Sequence, residues 1–435
     1  MKLSHLTIFF IIIILPFSIA VRNNMNNYFI NLKDQTRLNN VIDIATGDAL
    51  ETLVELNDEF QMLYINERFD ITQRLAEEAV ESFFKTLAVN YNMPYIEGYT
   101  QSYFSVYVPA IVIVAYDGFF IYSVDDTGNG YAYNMSPKIP YSYVDPTTDA
   151  IINFTLGNYI KMFTDGRYFE GEFTEDYYVG SDLDDDGNID TGSKAKYNLY
   201  YEAYGGASDP NADDNLYKDI AALTNDMSVI VAAMHEKELS TGNKIVPSFL
   251  IPPNSSDAGA IPFLRDYDQS DNDASAFHKK RREVIINIIR DTLRQEINSH
   301  QTYAKIMGSN YNFSLPEIAN DDWTNSINDI SVMSFIQGMP IGVNAYYNNY
   351  ALGGSRIVQT DYIYATADNL YHSSDCKFVS WFSSSNGMHS IPPGYSETDP
   401  EVTVENIFVN RTEAAEYFDP DHPSKRYYPC LECRP

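Results

Sequence analysis

From Leu6 to Val21 the chain is almost wholly apolar, and no flexible linker separates that run from the amphipathic pattern behind it. Leu38, Val41, Ile42, Ala45, Ala49, Leu53 and Leu56 recur at three- and four-residue steps, which puts them on one stripe of a helix. A rod of this kind must suit an apolar medium at one end and a protein core at the other. Lys2 gives the extreme N-terminus a positive charge, and Pro16 interrupts the apolar run. Two readings follow. One is a secretory signal with Ser18-Ile19-Ala20 as its small-x-small cleavage site. The other is an uncleaved single-pass anchor over residues 1–21, slightly short of the roughly 20 apolar residues a spanning helix needs. The unbroken passage into a second, amphipathic helical segment over residues 22–66 favours the anchor, because a cleaved signal usually hands over to a flexible mature N-terminus. Under the anchor reading the chain sits in the cell membrane with its bulk extracytoplasmic; under the other it is secreted.

The segment Arg37-Leu38-Asn39-Asn40-Val41-Ile42-Asp43-Ile44-Ala45-Thr46-Gly47-Asp48-Ala49-Leu50, behind an apolar N-terminus, resembles the Tad-type pseudopilins. Those proteins share an apolar anchor followed by an Arg/Leu/Asn…Asp-Ala helix. The resemblance implies a subunit of a surface appendage, secretion machine or conjugation apparatus, with the N-terminal helix as the assembly element and protein partners or self-assembly. The chain departs from that family in its great length and in its C-terminal segment.

The middle of the chain reads as an α+β ectodomain over residues 67–360, with an antiparallel sheet and packed helices. A helix is entered through Asp70, with Gln73 three residues on, and buries Leu75, Ala79, Phe83, Phe84 and Leu87. Tyr103 to Tyr116 is rich in β-branched and aromatic residues, Asp117-Gly118 reads as a two-residue turn, and Phe119 to Val124 returns. The aromatic segments Tyr131 to Tyr143 and Tyr197 to Tyr204 read as further strands. A third helix spans Leu216 to Glu236. The polar stretch Pro252 to Ser275 reads as a long loop, with a candidate domain boundary over residues 252–280. A fourth helix buries Val284, Ile285, Ile288, Ile289, Leu293 and Ile297 and ends by Gly308. Beyond it, Pro316, Trp323, Pro340 and Gly353-Gly354 suggest loops and short strands.

Within this region Asp182, Asp184, Asp186, Asn188 and Asp190 follow the D-x-D-x-D-G-x-I-D spacing of a calcium loop. Alternate oxygen ligands converge there on a hard cation, and Gly187 permits the sharp turn. Ser193 stands where an EF-hand has its bidentate Glu. Calcium binding and a plain acidic, solvated turn both remain open.

Charge and motif content narrow the function classes. A formal charge of -31 repels polyphosphate backbones, and nucleic-acid affinity comes largely from neutralising phosphates. The one dense basic cluster, His278-Lys279-Lys280-Arg281-Arg282, reads as the flank of a helix start. His235-Glu236 opens an H-E-x-x-H pattern that Leu239 breaks. Gly353-Gly354-Ser355 lacks the flanks of a nucleophile elbow. His278, His300, His389 and His422 show no partners in sequence. With 60 carboxylates, any acid–base pair is available by chance, so none is assigned. The reading is non-enzymatic. A nucleic-acid-processing protein and an extracellular sensor or solute-binding domain are the alternatives.

Three cysteines leave one over in any disulfide framework, and all lie near the C-terminus. Tyr371-His372-Ser373-Ser374-Asp375-Cys376 and Pro429-Cys430-Leu431-Glu432-Cys433 supply a His-x-x-x-Cys and a Cys-x-x-Cys pair. Zinc takes four such ligands in a tetrahedron, commonly as two pairs from short chelating turns. His372, Cys376, Cys430 and Cys433 therefore form the candidate zinc site. Four protein ligands leave no open position, so the metal is structural. A Cys430–Cys433 disulfide with Cys376 free is the competing reading outside the cell.

The pattern Y-H-x-x-x-C…E-A-A-x-x-F…Y-x-P-C-x-x-C-x-P, with Glu413-Ala414-Ala415, Tyr428 and Pro435 beside the ligands, resembles the Ada-type zinc-binding module. That resemblance implies a small zinc-binding unit over residues 361–435. The chain departs from the family by placing His372 where an early cysteine stands, and by a longer insert containing Gly387 to Pro400. Ada's methyl transfer depends on a metal-bound cysteine in a DNA-binding setting, so it is not carried over.

Overall fold

The computed structural model describes residues 3–60, 64, 65, 68, 69, 71–96, 98–126, 128, 130–173, 192–204, 216–251, 276–343, 345–353, 363–372, 399, 400, 403–408 and 427–430. Side chains are described from Ile14 to Val54 of the first helix and for most described residues thereafter. The chain forms two compact units, Met1–Ser355 and Arg356–Pro435. The architecture is mixed α-helix and antiparallel sheet, the α+β class.

In the first unit, α1 (Leu3–Phe60) is one helix of 58 residues with Pro16 inside it. Its two halves obey opposite rules. From Leu38 onward, Leu38, Val41, Ile42, Ala45, Ala49 and Leu53 are buried as the periodicity requires, together with Thr46 and Leu50; Leu56 lies outside the described side chains. Earlier in the helix Phe17, Val21, Met25, Phe29 and Leu32 are exposed, Phe17 at 66% and Phe29 at 59%. No helix among the described residues is long and apolar enough to cross a membrane.

A two-stranded hairpin, β1 (Tyr64–Ile65) and β2 (Arg68–Phe69), leads into α2 (Gln73–Asn90). Thr72 is the N-cap of α2, its hydroxyl accepting from the Leu75 amide, in place of the expected Asp70. A cap needs its oxygen within reach of the N2 or N3 amide, and Thr72 stands one residue before the helix. Leu75, Ala79, Phe83, Phe84 and Leu87 are all buried. A short helix, α3 (Tyr99–Ser105), takes the first residues of the expected strand, and its buried Phe104 stacks edge-on against Tyr91.

The strands are β3 (Ile111–Ala115), β4 (Gly118–Asp126), β5 (Tyr131–Met135), β6 (Ile139–Val144), β7 (Ile151–Phe154), β8 (Tyr159–Thr164) and β9 (Arg167–Glu172). Two later strands, β10 (Ser331–Ile341) and β11 (Ala345–Gly353), complete a nine-stranded sheet ordered β11-β10-β3-β4-β6-β7-β8-β9, with β5 also on β4. Ala115 pairs with Gly118, so the hairpin turn is Tyr116-Asp117 and not Asp117-Gly118. Gly118 belongs to β4, where a Cβ would lie 2.6 Å from the Ile139 carbonyl oxygen.

Strand β3 is buried on both faces. Ile111, Ile113 and Ala115 join Phe120, Val332 and Ile336 in a core with α1 and α2. Val112 and Val114 join Phe119, Ile121, Met333 and Phe335 in a second core. Helices α4 (Gly192–Ala203), α5 (Leu216–Leu223), α6 (Met227–Thr241), α7 (Ala276–Ile306) and α8 (Asn320–Asn328) contribute to that second core. The sheet is thus the middle of three layers. At its far end the outer face is open: Val144, Ile151, Phe163 and Tyr168, neighbours in register across β6 to β9, are all exposed.

Three expectations fail here for identifiable reasons. Tyr197 to Tyr204 lies in α4 and its following turn, not in a strand; Tyr197, Tyr200, Tyr201 and Tyr204 stand at helical spacing, which their β-propensity concealed. The expected single helix from Leu216 breaks into α5 and α6, because Asp226 accepts from the Ser228 amide at 2.9 Å and starts a new helix. The expected loops after Gly308 contain α8 and the 11-residue β10. With both faces of β10 buried, Ser331, Ser334 and Gln337 sit inside and erase any apolar alternation. Each is hydrogen-bonded: Ser331 to the Ser326 carbonyl, Ser334 to Thr46, and Gln337 to Ser314. The expected boundary at 252–280 falls largely on 252–275, outside the described residues.

The buried His300 on α7 has partners that sequence did not reveal. Its Nε2 donates to the Val106 carbonyl at 3.1 Å, and Nδ1 lies 2.9 Å from the Tyr133 hydroxyl. Burial lowers its pKa to about 4, against 6.5 for a free imidazole.

Two stability tests follow. Ile113→Ala opens a cavity in the α1–α2 core, and chemical denaturation should register a loss of about 2–5 kcal/mol. For His300, the unfolded chain gains a proton that the folded chain refuses as pH falls from 6.5 towards 4. The native imidazole therefore contributes stability above that window and loses it below, by about 3 kcal/mol in all. The stability difference between the native chain and His300→Gln should shrink steadily between pH 7 and pH 4.5; a constant difference contradicts a neutral buried ring.

Candidate metal centre

The second unit carries a four-stranded sheet ordered β14-β12-β13-β15. Its strands are β12 (Ile363–Thr366), β13 (Leu370–His372), β14 (Val404–Phe408) and β15 (Tyr428–Pro429). β12 and β13 form a hairpin that pairs Tyr364 with His372 and Ala365 with Tyr371. The turn between them is tight: Asn369 has φ 66° and its amide donates to the Thr366 carbonyl at 3.0 Å. Asparagine tolerates this left-handed backbone better than most residues.

β15 returns the chain end to this hairpin. It pairs in parallel with β13, Leu370 against Tyr428 and Tyr371 against Pro429. The Cys430 amide donates to the Tyr371 carbonyl at 3.0 Å. One residue further along this register stands His372 opposite Cys430. Two of the four expected ligands, remote in sequence, are therefore set side by side. Both are buried, His372 at 1% and Cys430 at 3% exposure. Cys376 and Cys433 lie outside the described residues, and among the described residues no group of three metal-binding side chains occurs. Asp182, Asp184, Asp186, Asn188 and Asp190, the expected calcium loop, lie wholly outside them.

The chemistry of the pair fits zinc. Imidazole nitrogen and thiolate sulfur are the donors of structural zinc sites, and His372 is held as a neutral ring: burial pushes its pKa below the usual range, while the Asp368 carboxylate pulls the other way. A neutral imidazole is the ligating form. Thr366 and Asp368 were not anticipated from sequence. Thr366 is fully buried, and its hydroxyl lies 3.0 Å from His372 Nε2 and 2.6 Å from Asp368 Oδ1. The signal was the Thr-x-Asp-Asn turn just before His372, a reverse-turn composition that points to no metal by itself.

Other sequence candidates have structural duties. His235 Nδ1 lies 3.2 Å from Glu238 Oε2, and Glu238 Oε1 accepts from the Ile245 and Val246 amides at 2.6 and 2.9 Å, an arrangement that fixes the exit of α6. His278 is buried beside Phe277 in the first turn of α7. His389 and His422 lie outside the described residues. No family model, curated protein or solved structure matches the chain.

The juxtaposition of His372 and Cys430 leads to a direct measurement. The purified full chain should carry one zinc ion by elemental analysis, and His372→Ala or Cys430→Ala should lose it. Chelation should lower the melting temperature of the native chain and leave those variants unmoved; a metal-free native chain refutes the site.

Proposed function

We propose that the chain is an exported, membrane-anchored, non-enzymatic surface protein of pilin-like plan. Helix α1 is its anchor and assembly element, the α+β unit presents the binding surface, and zinc pins the C-terminal unit. The observation that carries this reading is the polarity of α1. Where the helix passes the β10–β11 hairpin, Asn31, Asp34 and Asn39 face the protein. Asn31 Oδ1 accepts from the Val343 amide at 2.7 Å and Asp34 Oδ2 from the Gly342 amide at 2.9 Å. Asn39 Oδ1 accepts from the Tyr347 hydroxyl and the Asn349 side-chain amide at 2.7 and 3.1 Å.

Beside that turn Phe29 and Leu32 are exposed, and upstream the helix is exposed on every side from Ile14 to Asn26. Phe17, Val21, Met25 and Phe29, spaced at four residues, share one stripe, and Leu32 extends it. Each such side chain left in water forgoes about 1.5–3 kcal/mol of burial. A contiguous exposed apolar stripe marks a protein or membrane contact. An anchor and assembly helix needs this inverted arrangement: hydrogen bonds hold the helix to its own domain, and its apolar side is kept for lipid or neighbouring subunits. The resemblance of Arg37 to Leu50 to the Tad-type pseudopilins supports the same assignment. Cleavage after Ala20 would still leave Met25, Phe29 and Leu32 uncovered, so the assembly role survives either fate of the N-terminus.

Membrane fractionation of the expressed full chain tests the anchor. The chain should resist alkaline carbonate extraction and dissolve in detergent, whereas a chain beginning at Arg22 should be soluble or assembled. Full-length chain recovered in the medium or the soluble fraction overturns anchoring. Cysteine placed at Met25 should then cross-link between copies, and its failure to do so removes the assembly role.

A further inference from the structure

The hydroxyl of Thr366 has three polar neighbours: Asp368 Oδ1 at 2.6 Å, His372 Nε2 at 3.0 Å and the Leu370 carbonyl at 3.3 Å. It has one proton to give. The carboxylate and the carbonyl are acceptors only, and the contact to Asp368 is both the shortest and the charge-assisted one. Two arrangements are available. If the hydroxyl proton went to Nε2, the Thr366 oxygen would present lone pairs to a carboxylate oxygen 2.6 Å away, a repulsive contact inside a buried cluster. If the proton goes to Asp368, the hydroxyl oxygen is left to accept from Nε2–H. The second arrangement gives the proton to the nearest and only charged acceptor and leaves Nε2–H a partner, with the Leu370 carbonyl the most distant of the three contacts. Asp368 is itself held for the purpose, since it accepts from the Leu370 amide at 3.2 Å within the β12–β13 turn.

We propose that Thr366 and Asp368 fix the His372 imidazole in the Nε2–H tautomer, so that Nδ1 is the nitrogen that ligates zinc. This rests on the zinc reading of the C-terminal unit and adds the atom and its positioning residues. The relay Nε2–H to Thr366 to Asp368 is the outer-shell pattern by which metal-binding histidines are oriented and made more basic, here with a threonine inserted between ring and carboxylate. Thr366 and Asp368 are positioning residues; neither donates an atom to the metal.

Long-range nitrogen–proton correlation on the full chain, labelled with nitrogen-15 at histidine, reads the tautomer directly. With zinc, His372 should show a protonated Nε2 and a metal-shifted Nδ1; a zinc-shifted Nε2 overturns the assignment. Thr366→Val should weaken zinc affinity about 10- to 100-fold, Thr366→Ser should restore it, and Asp368→Ala should weaken it. Native affinity in Thr366→Val overturns the positioning role. Should the valine variant fail to fold, the spectrum of the native chain still decides. If the native chain binds no zinc, the metal reading fails separately, and the metal-free spectrum still tests the relay: Nε2–H supports it and Nδ1–H overturns it.

Discussion

Strand β3 has no face to water, and the first unit is organised around that fact. Ile111, Ile113 and Ala115 need the α1–α2 layer, Val112 and Val114 need the layer that includes α6 and α7, and β4 and β10 must flank the strand to take its backbone hydrogen bonds. An antiparallel sheet commonly leaves one face to solvent. This one cannot do so at its centre, and can at its β6–β9 end, where no second core forms over the outer face. The demand for a cover over β3 and β10 is what draws the C-terminal half of α1 into the domain. Thr46 meets Ser334 at 2.6 Å, and Gly353 lets β11 approach the α1 backbone where a Cβ would lie 2.7 Å from the Thr46 carbonyl.

The same demand explains why a single helix carries two polarities. Once Leu38 to Leu53 are committed to the sheet, the rotation of α1 is set, and every residue upstream inherits its direction from that registration. Asn31 and Asp34 fall towards the β10–β11 turn, and Phe29 and Leu32 fall away from it. The upstream apolar residues are therefore not a failed core. They lie on a part of the helix that its own domain leaves exposed.

Much of this was legible where one principle acted alone. The stripe of α1, the buried face of α2, the β3–β4 hairpin and the stripe of α7 each follow one periodicity without a competing influence. Legibility was lost where burial on both faces removed the alternation, as in β10 with its internal Ser331, Ser334 and Gln337. It was lost again where composition spoke louder than spacing, as in the tyrosines of α4. At the candidate metal centre His372 and Cys430 could be singled out because chelating pairs leave a short-range mark, and the structure sets the two side by side. Thr366 and Asp368 were not, because a residue that orients a ligand is chosen by a hydrogen bond, and serine, threonine and aspartate are common in turns for unrelated reasons.

The second unit is where the proposed zinc would act. Among its described residues, Ala365, Tyr371, Tyr427 and Cys430 are buried apolar side chains. Small domains gain from a disulfide or a metal that supplements the core. Strand β15 is only two residues long, so backbone pairing alone holds it weakly to β13. On the proposed reading, an ion joining His372 to Cys430 would close the long loop between them, where the entropy removed from the unfolded chain is largest, and its binding energy would become folding energy.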